Sequence, residues 1–275
     1  MRTAWILPGG SSFGAVQVGQ LDALLGAGLR PDLLLGTSAG SLNATYMASS
    51  PDPAGAAGLR TLWLGVRRQE VFSLRPWTVV AGLAGRRDHT VSNRAFARWL
   101  RSHVSCRRIE EAAVPLTITA TDLETGEAVF MDRGDIISAL LASTALPGVF
   151  PPVERDGRLL VDGGLAADAP VGAAVAAGAE RVYLLPTVGP GLPGRPTRAL
   201  DVALRATGLI LGRETDTQIQ AWSARCEVFV LPAPAVAGIS PFSFRAGRRL
   251  MDEAREATER WLPTARPVPA PVAPV

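Results

Sequence analysis

Short apolar runs alternate with stretches of helical spacing near the start of the chain. The run from Thr3 to Leu7 ends at Pro8-Gly9-Gly10, and apolar residues then recur at helical spacing from Gly14 to Leu25. A second run, Asp32 to Leu35, leads into Gly36-Thr37-Ser38-Ala39-Gly40 and a further helical stretch. Strands that alternate with helices predict an α/β fold with a mostly parallel sheet covered on both faces.

Apolar runs and stretches of helical spacing continue to alternate along the rest of the chain. They predict strands at 115–121, 128–131, 159–161, 182–185 and 228–231, and helices at 56–67, 92–103, 135–143, 171–177, 198–222 and 245–261. Ser92 is the expected N-cap of its helix. Residues 71–90 show no steady period and predict a loop-rich insertion at the site, with Phe72 and Trp77 as candidates for a lid or an acyl-chain wall.

Composition bounds the domain organisation. The 275 residues are 47% hydrophobic and 19% charged, which is typical of a globular protein. We expect one domain over residues 1–262 and a disordered Pro/Ala-rich tail over 263–275. The chain shows neither a signal peptide nor an apolar run of about 20 residues, so a cytoplasmic protein is expected.

Charge and cysteine content narrow the function classes. All 28 basic residues are arginine and are spread from Arg2 to Arg266, so the formal charge of +3 forms no basic stripe and predicts no nucleic-acid partner. The two cysteines are too few for a disulfide scaffold or a metal site. We therefore predict no metal and no cofactor.

Ser38 is the candidate nucleophile. It is the serine of a G-x-S-x-G sequence placed where a strand leads into a helix, which is the context that this motif requires. Glycine on both sides allows a sharp turn, and the helix behind Ser38 presents unpaired N–H groups. The alternative is a serine that caps an ordinary strand-to-helix turn.

A serine nucleophile needs a base, and histidine is the usual one. The only histidines are His89 and His103, and the order Ser, acid, His would leave Asp52, Glu70 or Asp88 as the acid. None of these three acids follows a convincing apolar strand. A Ser-His-acid esterase therefore stays as an alternative.

Asp162 is the better-supported base. It ends the apolar run Leu159-Leu160-Val161 and is followed by Gly163-Gly164, which leave room for a close approach of backbone or substrate. A free Asp titrates near 3.9, so a base at neutral pH needs burial to raise its pKa. The alternative for Asp162 is a structural Asx turn.

The loop Gly9-Gly10-Ser11-Ser12-Phe13-Gly14 lies between a strand and a helix. Its backbone N–H groups suit a tetrahedral oxyanion. The loop could instead hold a phosphate, but it lacks the ending of a P-loop and has Ser11 where a dinucleotide loop requires glycine.

Three segments together resemble the signatures of the patatin-like phospholipase family, in the family's order. They are residues 7–14, 36–40 and 162–164, and the resemblance covers about residues 3 to 232. It implies a three-layer α/β/α fold and a serine acyl hydrolase of the esterase, phospholipase A or lysophospholipase type. Its substrate would be a lipid or acyl ester, with transient peripheral contact with a membrane. By position Ser38 matches the nucleophile, Asp162 the base, and Gly9, Gly10 and Ser11 the oxyanion hole.

Two residues depart from the family's pattern. Ser11 stands where the family usually has a third glycine, and Phe13 stands where it has a basic residue. Ser11 can still donate its N–H if its backbone angles are allowed. Loss of the cation at Phe13 favours neutral or small acyl esters. These departures also keep open a catalytically silent lipid- or acyl-binding protein.

Overall fold

A computed structural model describes residues 1–73, 86–189 and 199–270, together with residues 77, 80 and 84. Its strands are β1 (Thr3–Leu7), β2 (Leu33–Thr37), β3 (Leu116–Asp122), β4 (Ala128–Met131), β5 (Val153–Arg155), β6 (Arg158–Asp162), β7 (Arg181–Leu184) and β8 (Glu227–Val230). Its helices are α1 (Gly14–Gly26), α2 (Ala39–Ser49), α3 (Pro53–Gly65), α4 (Arg68–Val71), α5 (Arg94–His103), α6 (Ile136–Ser143), α7 (Gly164–Ala167), α8 (Val171–Ala176), α9 (Ala199–Trp222) and α10 (Gly247–Trp261). Short 3-10 turns lie at Ser11–Phe13, Ile109–Glu111, Phe244–Ala246 and Leu262–Thr264.

The strands form one mixed sheet with a parallel centre. Pairing follows the path β5-β6-β3-β2-β1-β7-β8, and β4 also pairs with β3. The contacts among β3, β2, β1, β7 and β8 are all parallel, whereas β4, β5 and β6 are antiparallel to their partners. The predicted α/β fold with a mostly parallel sheet is therefore confirmed. The antiparallel pairs are β3–β4, β3–β6 and β5–β6.

Helices cover both faces of the sheet. Along β1 the side chains of Trp5 and Leu7 pack in one hydrophobic cluster, whereas Ala4 and Ile6 pack in another. The first cluster includes residues of α1, α2, α3, α5, α6 and α10, and the second includes residues of α8 and α9. Since successive strand residues point to opposite faces, this alternation produces the three-layer α/β/α arrangement.

Two strands lie end to end along one edge of β3. Thr119 of β3 has Thr37 of β2 on one side and Phe130 of β4 on the other. The next residue, Ala120, is also paired with β4, and its second partner is Asp162 of β6. Because β4 occupies one edge of β3 at both residues, β2 and β6 must both lie on the other edge, one after the other. The ends of β2 and β6 consequently meet.

The structure corrects two local predictions. Strand β5 was not predicted, yet it pairs with β6 through a tight turn at Asp156 and Gly157, both with positive φ. The Asp-Gly pair is the usual signal of such a hairpin. The helix expected to start at Ser92 begins at Arg94, and its N-cap is Asn93 without a side-chain hydrogen bond.

Two predicted segments are described only in part. Much of the loop-rich insertion at 71–90 lies outside the described residues. The domain boundary at residue 262 stays a prediction; residues 263–270 are described, and the N–H of Val268 donates to the carbonyl of Val228 over 2.7 Å. Within the described ranges, none of the helices is long and apolar enough to cross a membrane.

Candidate active site

The turn between β2 and α2 holds Ser38 in an uncommon backbone conformation. Its φ is 51° and its ψ is −124°, a region that residues other than glycine rarely adopt. A Cβ on Gly40 would collide with the carbonyl oxygens of Leu7 and Pro8, and one on Gly36 would collide with α2. The two glycines of the G-x-S-x-G sequence are thus required by close backbone contact on each side of the serine.

The Ser38 hydroxyl donates a hydrogen bond to Asp162, with 2.7 Å between Oγ and Oδ2. The end-to-end placement of β2 and β6 produces this contact, because Ser38 follows β2 and Asp162 ends β6. Two further bonds fix the pair: the Ser38 N–H donates to Ser143 Oγ over 2.9 Å, and the Gly164 N–H donates to Asp162 Oδ1 over 2.9 Å.

Burial changes the acidity of the Asp162 carboxyl group. Desolvation raises its pKa to about 6, and the negative charge of Asp168 adds to the rise. The hydrogen bonds from Ser38 and Gly164 act in the opposite direction because they favour the carboxylate. Asp162 is therefore mostly ionised at neutral pH and is a much stronger base than a solvent-exposed aspartate.

The loop Gly9-Gly10-Ser11 faces this pair. Ser11 has a φ of 53°, so it adopts the left-handed conformation that glycine would adopt more readily. Among the described residues, no acceptor is recorded for the backbone N–H of Gly10 or of Ser11. The Gly9 N–H, in contrast, donates to Asp168 Oδ1 over 2.8 Å. Two of the three N–H groups expected to bind an oxyanion are thus unengaged.

Buried polar side chains hold this loop in place through hydrogen bonds to its backbone. Gln17 Nε2 donates to the carbonyl of Pro8 over 2.8 Å, and Asn43 Nδ2 donates to the carbonyl of Gly14 over 2.9 Å. Asn43 also donates to Gln17 Oε1 over 2.8 Å and accepts from Trp63 Nε1 over 2.7 Å. This network fixes both ends of the loop. It was not predicted, although Gln and Asn among apolar helix positions were a signal in the sequence.

Asp168 is a further site residue that was not predicted from the sequence. It follows α7, which starts directly after Asp162 and Gly163, and it lines the same cavity as Ser38. Burial raises its pKa to about 6, and the bond from Gly9 partly offsets this rise. A second acid in the segment Asp162 to Asp168 was visible in the sequence, but nothing in the pattern linked it to Gly9.

Ser38 and Asp162 open into a cavity of about 1180 Å³. One part of its wall is apolar and aromatic. Phe72 stacks on Phe150 with ring centroids 5.6 Å apart and meets Phe242 edge-on at 5.2 Å. The other apolar residues of this wall include Leu42, Leu62, Trp63, Val66, Phe96, Trp99, Leu146 and Phe244. The lining also includes Arg213, Thr215 and Asp216 of α9.

Neither histidine takes part in this arrangement. His89 Nδ1 lies 2.6 Å from Asp88 Oδ1, and His103 stacks on Trp99 at 4.5 Å between ring centroids. Neither of them lines the cavity. Among the described residues, no group of three His, Cys, Asp or Glu side chains is placed to hold a metal ion.

The fold and the site together define an α/β protein with a serine–aspartate pair in a largely apolar cavity. The family model of patatin-like phospholipases matches residues 6–175. The chain belongs to the patatin-like phospholipase family, as the three sequence segments predicted.

Individual relatives agree with this assignment. The chain is 51% identical over 57 residues to an uncharacterized NTE family protein of Mycobacterium bovis, a match that covers 21% of this chain and 16% of the relative. It is 26% identical over 183 residues to the lysophospholipase NTE1 of Mycosarcoma maydis, which covers 66% of this chain and 9% of that protein. The chain thus spans a small share of the length of these relatives.

A solved structure has a similar fold. The crystal structure of VipD from Legionella pneumophila superposes with a TM-score of 0.50 at 14% identity. The superposition covers 96% of this chain and 67% of that chain. At this identity the likeness concerns the fold alone.

Proposed function

We propose that this protein hydrolyses acyl esters of lipids through a Ser38–Asp162 dyad and a covalent acyl-enzyme. The observation that carries the proposal is the 2.7 Å hydrogen bond from Ser38 Oγ to a buried carboxylate, in a turn that exposes the serine to an apolar cavity. Membership of the patatin-like phospholipase family supports a lipid substrate.

The first half of the reaction forms the acyl-enzyme. Ser38 Oγ attacks the ester carbonyl carbon while its proton passes to Asp162 Oδ2. The carbonyl oxygen becomes an oxyanion, which accepts hydrogen bonds from the free N–H groups of Gly10 and Ser11. Collapse of this intermediate breaks the ester bond, and the leaving alcohol takes the proton from Asp162.

The second half returns the enzyme to its starting state. Asp162 accepts a proton from a water molecule as that water attacks the acyl carbon of Ser38. The acyl group leaves as a carboxylic acid, and Ser38 regains its proton. The aromatic wall around Phe72 and Phe150 offers apolar contact to the acyl chain.

The test compares hydrolysis of short- and long-chain p-nitrophenyl esters with labelling by a fluorophosphonate. We expect Ser38→Ala to abolish labelling, and both Ser38→Ala and Asp162→Asn to lower kcat by about 1000-fold or more. The double variant His89→Ala/His103→Ala should stay within about threefold of the wild type. Asp122→Asn, at the buried end of β3, is the matched control for loss of a carboxylate.

The outcomes separate the alternatives. Loss of activity in the histidine variant would show a Ser-His-acid esterase. A wild-type protein that is folded but neither labels nor turns over any ester would contradict the proposal and favour the lipid-binding alternative.

A further inference from the structure

Asp168 is a partly buried carboxylate that lines the cavity and that the dyad chemistry does not use. Its Oδ1 accepts the Gly9 N–H over 2.8 Å, and on the other side of the same residue the Gly9 carbonyl accepts from Thr187 Oγ1 over 2.7 Å. Gly9 is therefore held by one side chain at its N–H and by another at its carbonyl. Gly9 leads directly to Gly10 and Ser11, whose N–H groups have no acceptor among the described residues.

The distances place Asp168 close to the nucleophile as well. The position that a Cβ on Gly9 would occupy is 3.1 Å from Asp168 Oδ1 and 3.1 Å from Ser38 Cβ. Thr37, which precedes Ser38, donates from Oγ1 to the carbonyl of Ala167, which precedes Asp168, over 3.3 Å. The segment after Asp162 is thus bonded to the nucleophile turn through Ala167 and to the oxyanion loop through Asp168.

We propose that Asp168 is the positioning residue of the oxyanion loop: by accepting the Gly9 N–H it aims the N–H groups of Gly10 and Ser11 at the carbonyl oxygen of a substrate on Ser38. This inference rests on the proposed function. In this arrangement the Gly9 N–H holds the loop in place by binding Asp168, and the oxyanion is bound by the N–H groups of Gly10 and Ser11. The part of Asp168 that matters is its acceptor oxygen, because an N–H donor requires an acceptor and not a negative charge.

The test separates the acceptor from the charge. Asp168→Asn keeps an acceptor oxygen at the same distance from the backbone, whereas Asp168→Ala removes it. We expect Asp168→Ala to lower kcat for p-nitrophenyl octanoate by about 10- to 100-fold, because small displacements of catalytic groups have effects of this size. Asp168→Asn should retain kcat within about threefold, and KM should change little in either variant.

A transition-state analogue reports on the loop directly. An octyl trifluoromethyl ketone forms a hemiketal: Ser38 Oγ bonds to the ketone carbon, the Ser38 proton passes to Asp162, and the carbonyl electron pair moves onto the oxygen. That oxyanion needs the same donors as the ester intermediate. Asp168→Ala should therefore weaken inhibition by the same factor as kcat, and Asp168→Asn should not.

Two results would overturn the inference. The first is that Asp168→Ala has the same kcat and the same inhibition by the ketone as the wild type. The second is equal loss in Asp168→Asn and Asp168→Ala, which would assign the effect to charge. If Asp168→Ala does not fold, Asp168→Ser replaces it, because its shorter side chain does not reach Gly9. A wild-type enzyme without ester hydrolysis or labelling would refute the proposed function, whereas an active wild type with an unimpaired Asp168→Ala refutes only the role of Asp168.

Discussion

The two strand-to-helix turns of the site are built from similar residues but are held in different ways. The turn after β2 carries Ser38 with a φ of 51°, and the loop after β1 carries Ser11 with a φ of 53°. The first is enclosed by backbone, since Gly40 lies directly against the carbonyl of Leu7. The second is held by side chains, because Asp168 and Thr187 both bind Gly9.

A single substitution should therefore displace the oxyanion loop more easily than the nucleophile turn. Backbone atoms of a sheet cannot move without disturbing strand pairing, so the nucleophile turn has one geometry. Side chains can be exchanged one at a time, so the oxyanion loop can be displaced by a single substitution that leaves the sheet intact.

The tightest backbone contact gives the largest expected effect. Gly40→Ala would place a methyl group against the carbonyls of Leu7 and Pro8, so we expect the free energy of unfolding to fall by about 3 kcal/mol, with loss of labelling at Ser38. The measurement is urea unfolding followed by circular dichroism. Gly26→Ala, at the last residue of α1, is the control. A Cβ added there would meet no atom of another element within 4 Å, so this variant should be neutral or slightly stabilising. Equal stability of the two variants would disprove the backbone contact.

Burial of Asp162 should make the free energy of unfolding depend on pH, and this is the second-largest expected effect. The pKa of Asp162 is about 6 in the folded protein and 3.8 is its ordinary value. Between these values the folded state retains a proton that the unfolded chain has lost, so this group's contribution to stability is full below about pH 4 and is lost as the pH rises through about 6. Asp162→Asn should therefore raise the free energy of unfolding at pH 8 by on the order of 2 kcal/mol and change it little at pH 4.

Urea unfolding of Asp162→Asn and the wild type at both pH values is the measurement. Asp168→Asn should behave in the same direction, because burial also raises the pKa of Asp168 to about 6. A stabilisation of the same size at pH 4 and pH 8 would show that the effect does not come from proton binding.

The smallest effect concerns the left-handed residue of the oxyanion loop. Ser11→Gly should raise the free energy of unfolding by up to about 1 kcal/mol, because glycine adopts a φ near 53° without the steric cost of a side chain. Since the backbone N–H is retained, kcat should stay within about threefold. Asp156→Gly, in the turn between β5 and β6 with a φ of 52°, should give a similar stabilisation without any change in kcat. Loss of stability in Ser11→Gly alone would show that the Ser11 side chain has a structural role.

Local signals in the sequence were sufficient for much of the fold. The apolar runs and helical spacing predicted β1, α1, β2 and α2 to within a few residues, because each element is encoded by its own periodicity. Strands β3 and β4 were both predicted, at 115–121 and 128–131. Strand β5 was not predicted because it is only three residues long, although the Asp156-Gly157 turn is a hairpin signal in the sequence.

The end-to-end placement of β2 and β6 along one edge of β3 was decided by the tertiary structure. Ser38 and Asp162 are 124 residues apart, so their hydrogen bond depends on non-local strand register. The same holds for Asp168, whose bond to Gly9 spans 159 residues, and for the aromatic wall assembled from α3, α5 and later loops.

Residue types, the glycine-bounded turns and membership of the family can all be read from the chain alone. Folding establishes which groups meet, which N–H groups lack an acceptor among the described residues and how burial raises the pKa of the two carboxyl groups. The physical reason is range: backbone preference and hydrophobic period act over a few residues, whereas hydrogen bonding and desolvation act between groups that the folded chain brings together.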